Sequence, residues 1–274
     1  MILRTKILIS AVCLVIFTSG CGGSGSATSE SKTIKNDKLH PFLLSGSYIV
    51  NGYGGADAYF KYITQGIKAK PEERTFLTEL ENAYVNLFIF PYEDIGSGAR
   101  RELSNSWGIN NKEDFLETAD YLLTEGHQEA YEFCRKVLDE NGGEQADVNN
   151  IDMSKYASEY DGRLGKTKNV QFVKDNYGKF SPAGIKAWDI ARYVNNVNMA
   201  SAAELITEEE SYQLLTKALA EAQKSYQDWN EYWNDFNLGR YFWGGDDDPT
   251  FTQISDALTN KENAYSIYNY MPLK

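Results

Sequence analysis

The strongest constraint on the fold is an apolar pattern in the last third of the chain. It starts at a capping box, Thr207-Glu208-Glu209-Glu210, in which a hydroxyl and a carboxylate satisfy free backbone amides at a helix start. From there apolar and aromatic side chains recur in steps of three and four: Tyr212, Leu215, Leu219, Ala222, Tyr226, Trp229, Trp233 and Phe236. A strand repeats every two residues and cannot keep this rhythm. The pattern predicts a long, aromatic-rich C-terminal helix with all eight side chains on one stripe.

Helix signals also occur elsewhere in the chain. Residues 112–125 and 127–140 are predicted to form a helical hairpin, and each helix is followed by a glycine, Gly126 or Gly142. Residues 42–58 fit either a helix or a strand. The prediction is an all-α fold, a single domain of roughly seven to nine helices over residues 40–274.

Two prolines mark further helix starts. Ser181-Pro182 is predicted to open a helix carrying Trp188, because the missing N–H of proline costs nothing in the first turn. Asp248-Pro249 is predicted to open a short final helix.

The first twenty residues have the layout of a secretory signal. Arg4 and Lys6 precede an apolar run, residues 7–17, that is too short to span a bilayer. Thr18-Ser19-Gly20-Cys21 then resembles the bacterial lipobox, although leucine is commonest where Thr18 stands. The resemblance implies cleavage before Cys21 and acylation of its thiol. The expected product is a lipoprotein, carrying fatty acids such as palmitate, at the outer face of the cell membrane, or at the outer membrane of a Gram-negative cell. An ordinary signal peptide cleaved nearby is the alternative.

The composition after the signal limits the classes of function. Residues 21–39 begin with a Gly- and Ser-rich stretch and are predicted to form a flexible tether. With Cys13 in the signal and Cys21 acylated, only Cys134 remains, so no internal disulfide is expected. The whole chain has 27 basic and 39 acidic residues, a net charge of −12. Loss of the two basic residues of the signal makes it more negative, which argues against nucleic acid as a partner.

Three blocks of sequence resemble a known family. They are Trp107-Gly108-Ile109 followed by Gly126-His127, then Ala187-Trp188-Asp189-Ile190-Ala191-Arg192, then Ser225-Tyr226-Gln227-Asp228-Trp229 continuing to Leu238-Gly239-Arg240-Tyr241-Phe242-Trp243. Their order and spacing resemble the bacterial domain of unknown function numbered 1266, over residues 100–245. The resemblance implies a helical domain and no assigned activity.

Conventional catalytic and metal sites are not expected. The exported part of the chain has two histidines and one cysteine besides Cys21, too few for a zinc site, so no metal or cofactor is predicted. Asp246-Asp247-Asp248 lacks the pattern of a calcium loop and is interpreted as an acidic turn capping the last helix. His127 and Cys134 are seven residues apart on one predicted helix, too far for a catalytic dyad. Cys134 is therefore interpreted as a buried apolar residue.

The aromatic residues of the last predicted helix fit two interpretations. Tyr226, Trp229 and Trp233 keep the apolar rhythm, which favours burial over a stacking platform for ligands. Tyr232 and Tyr241 lie off that stripe and are the candidates for exposed ligand contacts.

The remaining candidates are charged. Asp189 and Arg192, three residues apart, can pair on one helix face. With Arg240 and His127 they could form a polar site, or Asp189 and Arg192 could be a structural ion pair fastening two helices. The favoured function is a non-enzymatic envelope domain that binds a protein or another surface component outside the cytoplasmic membrane. The alternatives are an enzyme of unrecognised type using these four residues, and a binder of small solutes or glycans.

Overall fold

A computed structural model describes residues 33–160, 162–244 and 248–274 of the chain. The predicted signal, Cys21, most of the predicted tether, Asp246 and Asp247 lie outside the described residues. Within the described residues the structure is all-α, with no strand and with several short 3₁₀ helices between the α-helices. The α-helices are α1 (Gly46–Gly52), α2 (Ala56–Gly66), α3 (Phe76–Phe88), α4 (Gly96–Trp107), α5 (Lys112–Thr124), α6 (Gln128–Glu140), α7 (Thr167–Asp175), α8 (Lys186–Ala202), α9 (Glu208–Ser225), α10 (Trp229–Trp243) and α11 (Thr250–Thr259).

The all-α prediction is confirmed, and nine of these helices are ten residues or longer. The segment that fitted either class, residues 42–58, is helical. None of the described helices combines the length and the apolar composition that a membrane crossing requires.

Helix α8 forms the centre of the domain. It packs against α4, α5, α9 and α10 and against a 3₁₀ helix at His40–Ser45. Thirteen of its seventeen residues are buried, including Asp189 and Arg192. A second apolar cluster lies between α6 and α7 and contains Cys134. The charged residues of α8 are thus held inside the domain, where each requires a partner.

The predicted C-terminal helix is two helices. The capping box at Thr207 is present and starts α9, as predicted. The chain then turns extended at Tyr226 and Asp228, and the Asp228 side chain accepts a hydrogen bond from Glu231 N to start α10. The steps of three and four continue across this break, so the apolar rhythm alone could not locate it.

The helix predicted from Ser181-Pro182 begins later, at Lys186. Pro182 lies in a turn, and Gly184 has a left-handed φ of 64° with Tyr131 packed against it. A right-handed helix cannot pass through that conformation. The predicted hairpin of α5 and α6 and the final helix α11 are present.

The domain begins earlier than residue 40. Ile34 is 5% exposed, and its amide donates a hydrogen bond to the Tyr270 carbonyl oxygen. Leu39 is completely buried. The last part of the predicted tether therefore belongs to the folded domain, because these two apolar side chains pack into its core.

Candidate functional site

The turn between α5 and α6 brings His127 against the central helix. Gly126 has a left-handed φ of 56°, and a side chain there would start 2.3 Å from Asp189 Oδ2. Tyr121 closes the turn by donating its hydroxyl to the Gly126 carbonyl oxygen at 2.7 Å. Glycine is therefore required at this turn both for its conformation and for the close approach of Asp189.

His127, Asp189 and Arg192 converge, and we call them the polar cluster. Asp189 Oδ2 accepts a hydrogen bond from the His127 backbone N–H at 2.7 Å. Asp189 Oδ1 accepts one from Arg192 Nη2 at 2.7 Å. The carboxylate thus places negative charge at the N-terminus of α6, where the free amides of a helix favour it. Oδ2 of Asp189 thus joins the start of α6 to α8, and Oδ1 pairs with Arg192 of the same helix.

The imidazole of His127 lies between opposite charges. Its Nδ1 is 3.0 Å from Asp189 Oδ1 and 2.7 Å from Arg192 Nη2. A neutral imidazole nitrogen either donates or accepts, so Nδ1 donates to the carboxylate in one tautomer and accepts from the guanidinium in the other. In both states Nδ1 is engaged inside the cluster.

The guanidinium of Arg192 lies between two indole rings. Its central carbon is 5.1 Å from the ring centroid of Trp107, at the end of α4, and 4.9 Å from that of Trp188. Arg192 is 7% exposed, and its Nε has no hydrogen-bond partner among the described residues. Cation–π contacts of this kind favour a charge that has been removed from water.

Arg240 does not join the polar cluster. Its Nη1 donates to the Asp248 carbonyl oxygen at 3.4 Å, and its guanidinium lies 4.8 Å from the Phe251 ring centroid. Both Arg192 and Arg240 lie near Tyr48: burial raises the pKa of Tyr48 well above its usual value, and the two positive charges oppose that rise. The arginines therefore flank one tyrosine without sharing a hydrogen-bond network.

Tyr232 is not an exposed ligand contact. It is completely buried, and its hydroxyl donates to the Leu44 carbonyl oxygen at 2.8 Å. Tyr232 lies three residues after Trp229 and four before Phe236, so it faces the same buried side of α10 as they do. Tyr241 is partly exposed, and its hydroxyl lies 3.1 Å from Thr252 Oγ1.

Cys134 is buried, as predicted, and burial raises the pKa of its thiol to about 12. Its Sγ donates to the Leu164 carbonyl oxygen. No group of three His, Cys, Asp or Glu side chains in the described ranges is arranged to hold a metal ion. Asp248 accepts hydrogen bonds from Thr250 N and Oγ1 ahead of α11, which agrees with its predicted capping role.

Asp235 is a buried carboxylate that no pattern in the sequence reveals. This aspartate is completely buried in α10, where it accepts hydrogen bonds from the Ser181 amide and hydroxyl. Burial raises the pKa of its carboxyl to about 6, against the opposing effect of the Ser181 hydrogen bonds. A raised carboxyl pKa also occurs in general acids, but Asp235 is engaged in holding the turn before α8. Asp235 lies seven residues after Asp228 in the sequence, and this spacing does not indicate that Asp235 is buried.

Asp235→Asn should remove a pH dependence of stability. A carboxyl pKa near 6 in the folded chain exceeds the unfolded value of about 3.9. The folded state therefore binds the proton more tightly, and this stabilisation is full below about pH 4 and is lost as the pH rises through about 6. Between those limits we expect the free energy of unfolding of the parent to fall by about 1–3 kcal/mol relative to the variant.

Urea unfolding of both proteins at about pH 4 and pH 7 measures this difference. Asp256→Asn, which changes an exposed aspartate of α11, is the matched control and should keep the parent's pH dependence. Identical pH dependence in the parent and in Asp235→Asn would contradict the assignment.

The known proteins that this chain resembles have no assigned activity. The chain is 28% identical to the uncharacterized protein YbeU of Escherichia coli (strain K12) over 160 residues, and this stretch covers 58% of this chain and 63% of YbeU. It is 25% identical to the uncharacterized protein YbeR of the same organism over 162 residues, and this stretch covers 59% of this chain and 65% of YbeR. The chain thus spans less than two thirds of the length of these relatives. No solved structure matches it significantly.

The family match covers the part of the chain that forms the polar cluster. Residues 102–273 match the family described as protein of unknown function (DUF1266). This range includes Trp107, His127, Trp188, Asp189 and Arg192, which the structure brings together from α4, α6 and α8. Because the match extends over more than half of its length, the chain belongs to the DUF1266 family of proteins of unknown function.

Proposed function

We propose that the chain is a lipoprotein, tethered by Cys21 outside the cytoplasmic membrane, whose helical domain binds a partner protein without catalysing a reaction. The lipobox-like sequence supports the tether. The observation that carries the binding role is a neutral groove between α2 and α3 that is flanked by exposed tyrosines. The enzyme alternative is less well supported, because both carboxylate oxygens of Asp189 already accept hydrogen bonds, one from the His127 amide at the start of α6 and one from Arg192 of its own helix.

The groove has a volume of about 620 Å³. Ile63 and Leu87, both buried, are part of its lining. Tyr62 lies on one side with 54% of its surface exposed, and its ring centroid is 5.7 Å from that of Tyr53, which is 41% exposed. Exposed tyrosines beside a groove are typical of surfaces that bind other proteins.

The polar lining of the groove consists of three amides, one positive and one negative side chain, and Tyr62. Gln65 of α2 and Asn82 and Asn86 of α3 line it, and none of their side chains hydrogen-bonds to another described residue. The carboxylate of Glu79 accepts hydrogen bonds from the Lys68 and Ala69 amides and is therefore engaged. On a chain with a net charge of −12, this lining is nearly neutral.

This chemistry fits an extended segment of a partner protein. Side-chain amides both donate and accept, so they can pair with the N–H and C=O groups of a peptide backbone. Tyr62 offers a surface for an apolar side chain of the same segment. The groove lies before residue 102, outside the range matched to the family, so the expected partner is specific to chains that share this N-terminal part.

The tether is tested by changing the lipidated residue. In cells fed labelled palmitate, Cys21→Ala should lose the label and leave the membrane fraction or remain unprocessed, because no thiol is left to acylate. Cys13→Ala is the matched control, and it should keep the label because Cys13 lies in the predicted signal. Label retained by Cys21→Ala would exclude this anchor.

The groove is tested by photo-crosslinking in living cells. A photoreactive phenylalanine analogue at position 62 of the full lipoprotein should give one protein adduct. The same analogue at Leu116 of α5, which is also exposed but lies outside the groove, should not give it. Asn86→Arg should reduce the adduct by about tenfold or more, because it places a charge and extra volume in a neutral groove.

Two outcomes would contradict the proposed groove. An adduct that is equally strong at both positions, or insensitive to Asn86→Arg, would place the contact elsewhere. An adduct that is destroyed by glycosidases and resists proteases would identify a glycan as the occupant instead of a protein.

A further inference from the structure

Two buried hydrogen-bond donors beside the polar cluster have no partner among the described residues. They are Nε of Arg192 and Nε1 of Trp188. Arg192 is 7% exposed and Trp188 is 6% exposed, so neither side chain is open to bulk water. Buried polar groups are nearly always hydrogen-bonded, and a donor on a charged group is costly to leave unpaired. The two donors therefore call for an acceptor.

The two donors belong to groups in direct contact. The guanidinium carbon of Arg192 lies 4.9 Å from the Trp188 ring centroid, with Trp107 also stacked on it at 5.1 Å. The hydrogen bonds of Arg192 to Asp189 and His127 both use Nη2. Nε is thus left out of the network that fastens α6 to α8.

Positive charge is concentrated around the aromatic rings next to Trp188. Trp188 contacts Trp243, whose ring centroid lies 5.4 Å from the guanidinium of Arg163. Arg240 approaches from the other side, over Phe251, whose ring lies 5.5 Å from that of Tyr48. Three arginines therefore lie against this group of aromatic rings. Among the described carboxylates, Asp189 pairs with Arg192, and Asp248 lies near Arg240.

Among the described residues, Tyr48 is the one next to this region that has a free hydroxyl. Its side chain is partly exposed, and its hydroxyl makes no hydrogen bond to another described residue. The charges of both Arg192 and Arg240 act on it, so it lies near both guanidinium groups.

We propose that this region binds the oxyanion group, a carboxylate or a phosphate, of a small ligand. Arg192 Nε and Trp188 Nε1 would donate hydrogen bonds to it, and Tyr48 and Arg240 would lie near it. Guanidinium groups suit both oxyanions because their donors are fixed in a plane and match the spacing of the oxygens. This site is separate from the groove between α2 and α3, so either can fail alone.

The indole N–H signals of tryptophan test the proposal directly. The chain has five tryptophans, so the full lipoprotein in neutral detergent, labelled with ¹⁵N in its indoles, should give five signals that Trp→Phe variants assign. Sodium acetate and sodium phosphate are titrated separately, and sodium chloride at equal ionic strength is the salt control. The Trp188 signal should shift and saturate with at least one oxyanion. Trp229, whose indole N–H is bonded to the Met271 carbonyl oxygen at 2.7 Å, is the internal reference and should not shift.

The response to each anion identifies the group that is bound. Saturation with acetate indicates a carboxylate ligand, and saturation with phosphate indicates a phosphoryl ligand. Arg240→Gln should raise the half-saturation concentration by about threefold to tenfold, because it removes one nearby positive charge. Arg101→Gln, which changes an exposed arginine of α4, is the matched control and should leave that concentration unchanged.

Three results would overturn the proposal. In the first, neither oxyanion shifts the Trp188 signal. In the second, chloride gives the same shift, or Trp229 moves together with Trp188. In the third, the response appears only after Asp246 and Asp247 are replaced with asparagine, which would assign the acceptor to the chain's own carboxylates.

Discussion

Replacing Asp189 with asparagine is expected to lower the free energy of unfolding by about 3–5 kcal/mol, the usual effect of removing one partner from a buried ion pair. Asp189 is 1% exposed and lies 2.7 Å from both the His127 amide and Arg192 Nη2. Asparagine is neutral and has one acceptor oxygen, so it cannot satisfy both donors. The variant therefore leaves the buried charge of Arg192 uncompensated. Urea unfolding at neutral pH measures the difference.

The double variant Asp189→Asn with Arg192→Gln separates a structural pair from a site residue. Removing both charges should recover part of the lost stability, because no buried charge is then left alone. Glu159→Gln, which breaks an exposed ion pair with Lys136, is the control and should change stability little. If Asp189→Asn is as stable as the parent and the double variant gains nothing, Asp189 does not hold the helices together. It would then be a candidate for ligand contact.

The sequence could predict one half of the polar cluster. Asp189 and Arg192 lie three residues apart on a helix, and the structure has them paired. His127 is 62 residues from Asp189, and helix periodicity gives no information on contacts at that distance. The link depends on Gly126, whose left-handed turn brings the start of α6 onto α8. Arg240 was grouped with the cluster because of its charge alone, and it lies over Phe251 instead.

The fold class could be predicted because the spacing of apolar residues along the chain reflects the local secondary structure. The same rhythm missed the break between α9 and α10, since Ala222, Tyr226 and Trp229 keep steps of three and four across it. The apolar stripe also omits Tyr232, although Tyr232 lies three residues after Trp229 and shares its buried face. Helix α9 ends at the extended backbone of Tyr226, and α10 begins at the Asp228 cap. Both features act locally and leave the apolar spacing unchanged.

The burial of α8 could not be inferred from its composition. Its sequence contains Asp189, Arg192, Asn196 and Asn198, which normally mark a solvent face. All four are buried because helices pack against α8 on several sides. Whether a polar residue is buried depends on the number of neighbouring elements, which is a property of the tertiary fold. The sequence therefore identifies candidate residues of the site, but only the structure shows which of them lie together.

Trp229→Ala is expected to lower the free energy of unfolding by about 3–5 kcal/mol. The residue is 4% exposed, and its indole N–H donates to the Met271 carbonyl oxygen at 2.7 Å. Its ring lies against Tyr268 and Tyr232, with centroids 5.0 Å and 5.8 Å away. Alanine leaves a cavity, removes these aromatic contacts and leaves the carbonyl of Met271 without its donor. Thermal and urea unfolding both measure the loss.

Trp243→Ala is the matched control at the other end of α10. Trp243 is 38% exposed, so its removal leaves a surface depression instead of a closed cavity and should cost less than Trp229→Ala. Trp229→Phe should lie in between, because it keeps a ring in the core and loses the hydrogen bond to Met271. If Trp229→Ala and Trp243→Ala have equal effects, the first ring does not fill the core, and the aromatic residues of α10 are better interpreted as a surface for ligand contact.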